Sequence, residues 1–261
     1  MDARRLETPT HFVENPSKQN ILTSSYFEIV KRIVEFSDPK YEAKSRRIKT
    51  FGYVFEEIAL CERITTKPET EVQTNVRHVV EYAFRNARLV LGMLLDPSTP
   101  DFVSVVFDNK GRLIIDEILD MKTSYNAMNE SEGKGQPQKT IDVMTKIIGV
   151  VNQIIDGVNI AEIDPQDDLK PKNIKQRNKI LREIKAQVGR FTTNGKISFS
   201  NQLKYVIVLP EGEDKPLDFE SLHNKQITMD SVTVNKEIVH SQFSKRDIHK
   251  IIDHYAESEI E

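Results

Sequence analysis

The stretch from Pro100 to Lys122, PDFVSVVFDNKGRLIIDEILDMK, constrains the chain most. A Pro-Asp pair opens the apolar run DFVSVVF. Asn109, Lys110 and Gly111 then supply turn chemistry, and a second apolar run, RLIIDEIL, ends in Asp120-Met121-Lys122. Two β-rich runs around an Asn/Gly-containing connection predict a hairpin. Side chains alternate along a strand, so Asp120 and Lys122 point to one face. A hairpin also returns the end of its second strand to the start of its first, which brings Asp101 beside Asp120 and Lys122. The second run is apolar on both faces (Leu113, Ile115 and Leu119; Ile114 and Ile118), which suits a covered central strand. Charges at the end of such a strand are expensive unless paired or metal-bound.

Two carboxylates on rigid strands suit a hard cation such as Mg²⁺, which takes oxygen ligands and keeps several waters. Such an ion lowers the pKa of a bound water and neutralises charge on a phosphate in flight. A lysine beside it can orient the water or stabilise the developing charge. Pro100-Asp101, eighteen intervening residues, then Asp120-x-Lys122 resembles the signature of the PD-(D/E)xK nuclease superfamily. The resemblance implies an α/β fold with a restriction-endonuclease-like core, a small mixed β-sheet flanked by α-helices, with additional helices. It implies that Asp101 and Asp120 bind Mg²⁺, with Mn²⁺ able to substitute, helped by the main-chain carbonyl of Met121, and that Lys122 orients the water and holds the scissile phosphate. The first core helix of the superfamily often adds a glutamate. Gly52-x-x-Phe55-Glu56 is similar to the G-x-x-F-E opening of several such enzymes and points to Glu56. A helical wheel points instead to Glu57, within the arc of Tyr53, Leu60, Cys61 and Ile64.

Composition is that of an ordinary globular chain, 38% hydrophobic and 30% charged over 261 residues. The single cysteine, Cys61, excludes an internal disulfide and a cysteine-based zinc site. No signal peptide and no long apolar segment is evident, so a cytoplasmic protein without a membrane partner is expected. Net charge is −3, so charge distribution matters more than the total. The most biased segment is Lys170 to Arg190, with eight Lys or Arg against the single acid Glu183. It reads as a helix with Ile174, Ile180, Leu181 and Ile184 inward. Its Lys170, Lys172, Lys175, Arg177, Lys179, Arg182 and Lys185 form a candidate phosphate-backbone track, with a solvated helix face as the alternative. No aromatic residues interleave, so single-strand stacking is not favoured.

The remaining chain reads as follows. Residues 1–20 form a loose N-terminal arm, and 21–261 form one nuclease-like domain with a core at about 50–210 and a C-terminal helical extension at 211–261. Ser24 or Ser25 caps a helix ending at Asp38-Pro39. A basic cluster follows (Lys44, Arg46, Arg47, Lys49), then helices over Phe51 to Ile64 and Asn75 to Leu95. LVLGMLL is either the strand that usually precedes the Pro-Asp strand, or that strand is missing. Residues 123–138 read as a polar loop in which Ser124, Tyr125 and Asn126 reach a phosphate. Thr140 to Gly157 is a helix, Ile197 to Leu209 a strand pair, and Ile227 to Val239 an edge strand or helix start. Ser244-x-x-Asp247 is a capping box for a last helix. The expected function is a metal-dependent nuclease acting on DNA, with RNA not excluded, as a restriction, defence or repair endonuclease. A homodimer follows from family practice. The alternatives are an inactive nuclease-fold binding module and an α/β interaction protein.

Overall fold

A computed structural model describes residues 16–25, 27–35, 43–95, 97–108, 110–165, 167, 169–188, 196–213, 227–229 and 232–257. Its elements are α1 (Pro16–Leu22), α2 (Phe27–Glu35), α3 (Ala43–Thr66), α4 (Glu71–Arg85), α5 (Ala87–Leu91), β1 (Phe102–Phe107), β2 (Leu113–Met121), α6 (Tyr125–Gly133), α7 (Gln136–Ile155), α8 (Pro171–Val188), β3 (Ser198–Glu211), β4 (Ile227–Met229), β5 (Val232–Ser244) and α9 (Lys245–Glu257). Strand order is β1-β2-β3-β5-β4, and the three-residue β4 leaves four strands to carry a mixed sheet flanked by helices. β1 and β2 form the predicted antiparallel hairpin, whereas β3 runs parallel to both β2 and β5. β2 is therefore a central strand, covered on both faces.

The register of β2 shifts between Ile115 and Glu117 against β3, and that of β1 between Ser104 and Val105. A bulge moves every later side chain to the other face. Leu113 and Ile115 consequently share a core with Ile118, while Leu119 and Met121 join the opposite one. Uniform alternation, which groups Leu119 with Leu113 and Ile115, is overturned. The first core lies under α4, α5, α7 and α8; the second lies under α1, α2, α3 and α9. Burying a Leu, Ile or Val contributes about 1.5–3 kcal/mol each. Ile118 and Ile207, both within 1% of complete burial, thus help offset the cost of the polar groups beside them.

Several local expectations are corrected. Pro16–Leu22 is helical inside the stretch read as an arm, with Ile21 and Leu22 buried and Lys18 ion-paired to Asp247 at 3.0 Å. Residues 1–15 lie outside the described residues, as do the side chains of the Lys44–Lys49 cluster. The helix expected from Asn75 begins earlier, at Glu71, where Thr70 and Gln73 complete a capping box. It breaks at Asn86, and LVLGMLL is not a strand: Ala87–Leu91 is helical and Gly92 closes it in the left-handed region, at φ 71°. The polar loop after Lys122 contains α6. There Ser124 Oγ accepts the Ala127 N–H and Tyr125 is buried, so both serve the fold rather than a phosphate. Gln136 accepts from Ser131, and Gln138 donates to Asp142, at the start of α7.

β3 is one continuous strand rather than a pair. The segment read as an edge strand or helix start is strand: Ile227–Met229 is β4, at the edge of the order and antiparallel to Val232–Val234, and β5 pairs with β3 from Asn235 onward, so the sheet extends into the region expected to be a helical extension. Ser244 and Asp247 form the predicted box, with Asp247 accepting the Ser244 N–H at 3.0 Å and Ser244 Oγ accepting the Asp247 N–H at 3.2 Å. Among the described residues no helix is long and apolar enough to cross a membrane.

Candidate active site

The hairpin delivers its two acids together. Asp101 precedes β1, and its N–H donates to the Leu119 carbonyl at 3.1 Å. Its Oδ2 accepts the Met121 N–H at 2.7 Å, which turns the carboxyl back toward β2 although the residue is exposed at the mouth. Asp120 is 3% exposed. Lys122 Nζ donates to Asp120 Oδ1 at 2.6 Å and the Tyr205 hydroxyl donates to Oδ2 at 2.9 Å. Thr140 hydrogen-bonds Tyr205 in turn, and Ser98 Oγ meets Thr140 Oγ1 at 2.7 Å. This buried polar chain fixes the Asp120 rotamer. Burial and the charge of Asp120 push the Tyr205 phenol far up, so it stays a proton donor.

Burial first, then the negative charge of Asp120, push the Asp101 carboxyl up to about 7. Glu56 adds to that rise, while the Met121 N–H and Lys122 oppose it. The Glu56 carboxyl is itself raised, by burial, Glu57 and Asp120 against the pull of Lys122. Glu57 is raised by burial and answers instead to Arg85. Glu56 is therefore the glutamate of α3 that shares the field of Asp120 and Lys122.

An acid whose folded pKa is raised destabilises the fold once it ionises, so stability falls as pH rises from the ordinary aspartate value toward about 7. Asp101→Asn should raise the melting temperature at pH 8 and leave it nearly unchanged at pH 4, as circular dichroism melts would read. An equal shift at both pH values would contradict this account.

Do these residues fit a divalent cation? Among the described residues no group of three His, Cys, Asp or Glu is arranged to hold a metal. Two carboxylates remain. A carboxylate has about four lone-pair sites, so Asp120 keeps acceptor capacity beyond Lys122 and Tyr205. A cation would also relieve the repulsion that raises Asp101. Met121 directs its N–H at Asp101, and its carbonyl lies on the same edge of the strand. Two carboxylates, one carbonyl and waters form a donor set that Mg²⁺ accepts. By their chemistry they are a partial donor set for such an ion, with waters left to complete it.

The basic helix is placed differently from expectation at two positions. Arg177 is buried, and its guanidinium donates to the carbonyls of Val90, Ile163 and Asp164 at 3.0, 2.9 and 3.4 Å. It caps the open carbonyl end of α5 and is not part of a phosphate track. Ile174 is exposed rather than inward. Lys170, Lys172, Lys175, Lys179, Arg182 and Lys185 are exposed, with Lys179 3.9 Å from Glu183.

Sequence reasoning did not find Tyr205, Thr140 or Arg85. Arg85 lines a cavity of about 20 Å³ with Thr99, Pro100 and Asp101, beside the site. A larger cavity of about 240 Å³ lies elsewhere, between α3 and the strands β2, β3 and β5. None of Glu56, Glu57, Asp101, Asp120 or Lys122 lines it, and its charges are largely paired, as Arg63–Glu117 at 2.7 Å and Lys204–Glu237 at 3.0 Å. Compared with known proteins, the chain matches no family model, no curated protein and no solved structure.

Proposed function

We propose that the chain is a metal-dependent nuclease with a restriction-endonuclease-like core, hydrolysing phosphodiester bonds in DNA. The observation that carries this is the convergence of Asp101, Asp120, Lys122 and Glu56 at one end of a central strand, where burial and then the like charge of Asp120 raise Asp101. Asp101, Asp120 and the Met121 carbonyl would hold Mg²⁺ or Mn²⁺. The bound ion supplies an acidified water and charge neutralisation at the phosphate. Asp120, locked by Tyr205, orients Lys122 Nζ, whose N–H groups would hydrogen-bond and position the water or a phosphate oxygen. Glu56 adds negative charge on the α3 side and favours cation over anion there.

A cytoplasmic location, and a homodimer in which each copy cuts one strand, belong to the same proposal. So does restriction, defence or repair as its setting.

A second reading rests on one observation: Lys122 and Tyr205 already satisfy both Asp120 oxygens. A nuclease-fold module that binds DNA without cutting it would look the same. Incubation of supercoiled plasmid with the protein separates the two. Nicked or linear product should form in Mg²⁺ or Mn²⁺ and vanish in EDTA. Intact plasmid with every divalent ion, under conditions where DNA is bound, would favour the second reading.

A further inference from the structure

Beside the acidic site the molecule carries a cavity of the opposite character. It measures about 310 Å³ and is lined by Arg85, Asn86, Arg88, Leu89, Asn173 and Gln176. Among the described residues its lining is two guanidinium groups, three amide side chains and Leu89, without a carboxylate or an aromatic ring. Such a lining offers many N–H donors to an anion and no stacking platform to a base. The elements explain its construction. Arg85, Asn86 and Arg88 come from the break between α4 and α5, and Asn173 and Gln176 from the first turns of α8.

Two observations tie this cavity to the site. Arg85 is common to both: it also lines the small cavity holding Pro100 and Asp101. It is exposed, and among the described residues no hydrogen bond or ion pair holds it. Its field reaches Glu57 and Glu81, but Glu81 is already bound by Arg77 at 3.1 Å. The second observation is the ridge of α8. Lys172, Gln176 and Lys179 are spaced i, i+4 and i+7, so they share one side of the helix, and all three are exposed. The cavity thus opens between the acidic site and the basic face of α8.

We infer that the Arg85–Arg88–Asn173–Gln176 cavity seats a backbone phosphate of duplex DNA flanking the bond to be cut, with Arg85 as the contact that sets the strand's register against Asp101. The inference rests on the nuclease reading for the word "cut" alone, because binding can be measured without cleavage. It assigns the DNA path to the α4–α5 break and the near end of α8. Arg177, inside the protein, has no part in it.

The experiment measures binding of a fluorescein-labelled DNA duplex by anisotropy, in EDTA, with the full chain carrying Asp120→Asn. Adding Arg85→Gln should weaken binding about tenfold and flatten the dependence of log K on log salt by about one. Arg85→Lys should recover part of the affinity. Gln176→Glu, a second exposed substitution, should weaken binding at least as much, because it places a carboxylate in the cavity. Lys110→Ala, on the exposed hairpin turn, should leave binding unchanged. Equal affinity and salt slope for Arg85→Gln and its parent would overturn the inference, as would a loss for Lys110→Ala matching that for Arg85→Gln. An RNA hairpin bound more tightly than the duplex, with the same Arg85 dependence, would overturn the assignment to DNA. Failure of the nuclease reading shows separately, as intact plasmid in Mg²⁺ with the Arg85 effect on binding retained.

Discussion

Asp120→Asn should lower Mg²⁺-dependent cleavage by about 10²–10³-fold or more, the scale seen when one preorganised electrostatic contact to a transition state is removed. The substitution keeps the shape of a side chain that is 3% exposed, so the fold should persist. Its single amide oxygen can accept from Tyr205 or from Lys122, but not from both as the two carboxylate oxygens do. It also loses the negative charge. That charge holds Lys122 Nζ at 2.6 Å and is the acidic neighbour that pushes Asp101 up. Asp101 should accordingly ionise more easily in the variant, and the cation should lose one of its two carboxylates. Single-turnover cleavage of a labelled duplex, with a circular dichroism spectrum alongside, reads both effects. Cleavage within about threefold of wild type, below the smallest loss expected of such a contact, would remove Asp120 from the mechanism.

The second large effect is on stability. Arg77 is 4% exposed and lies between Glu69 and Glu81, at 2.9 and 3.1 Å, with its guanidinium 4.9 Å above the Phe102 ring. Phe102 follows Asp101 in the chain, so this triad braces the strand start that carries the site. Breaking a buried ion pair from one side costs about 3–5 kcal/mol, because the partner is left charged and dry. Arg77→Leu strands two carboxylates, and burial already pushes Glu81 above its ordinary value with the arginine present. A fall in melting temperature on the order of 10 °C is expected for a chain of this size. Adding Glu69→Gln and Glu81→Gln should recover much of the loss, since the cost lies in unpaired charge rather than in lost packing. A variant with Arg77→Leu that melts within about 2 °C of wild type, less than the shift expected from 1 kcal/mol, would show that the triad contributes little.

The hairpin and the stripes of α3 and α7 are legible because periodicity and turn residues act within a few positions of each other. The Asp101–Asp120–Lys122 cluster follows from the hairpin alone. What escapes the sequence needs neighbours distant in the chain. No glycine marks the bulge between Ile115 and Glu117, yet it decides which core Ile118 joins and that Asp120 meets Tyr205. Tyr205 sits in an apolar run and pairs with Ile118, two residues before Asp120 on the same face, which is visible only once β3 is in register. Arg177 was readable in part: it stands three, four and seven residues before Ile180, Leu181 and Ile184, on their buried stripe, and the surrounding basic residues masked that spacing. β5 carries Asn235, Lys236 and Glu237 in a loosely alternating run, so its pairing rests on the sheet rather than on its own pattern. That Glu56 rather than Glu57 feels the charges of Asp120 and Lys122 likewise depends on where α3 crosses the strand ends.

The central claim is that Asp101 and Asp120 together grip a divalent ion. Calorimetric titration of Mn²⁺ into the wild-type chain, and into the chains with Asp101→Asn and Asp120→Asn, tests it without reference to any substrate. The account predicts saturable binding by the wild type that both substitutions abolish or weaken severely. Heats of dilution alone for the wild type, or an isotherm that neither substitution changes, would contradict it.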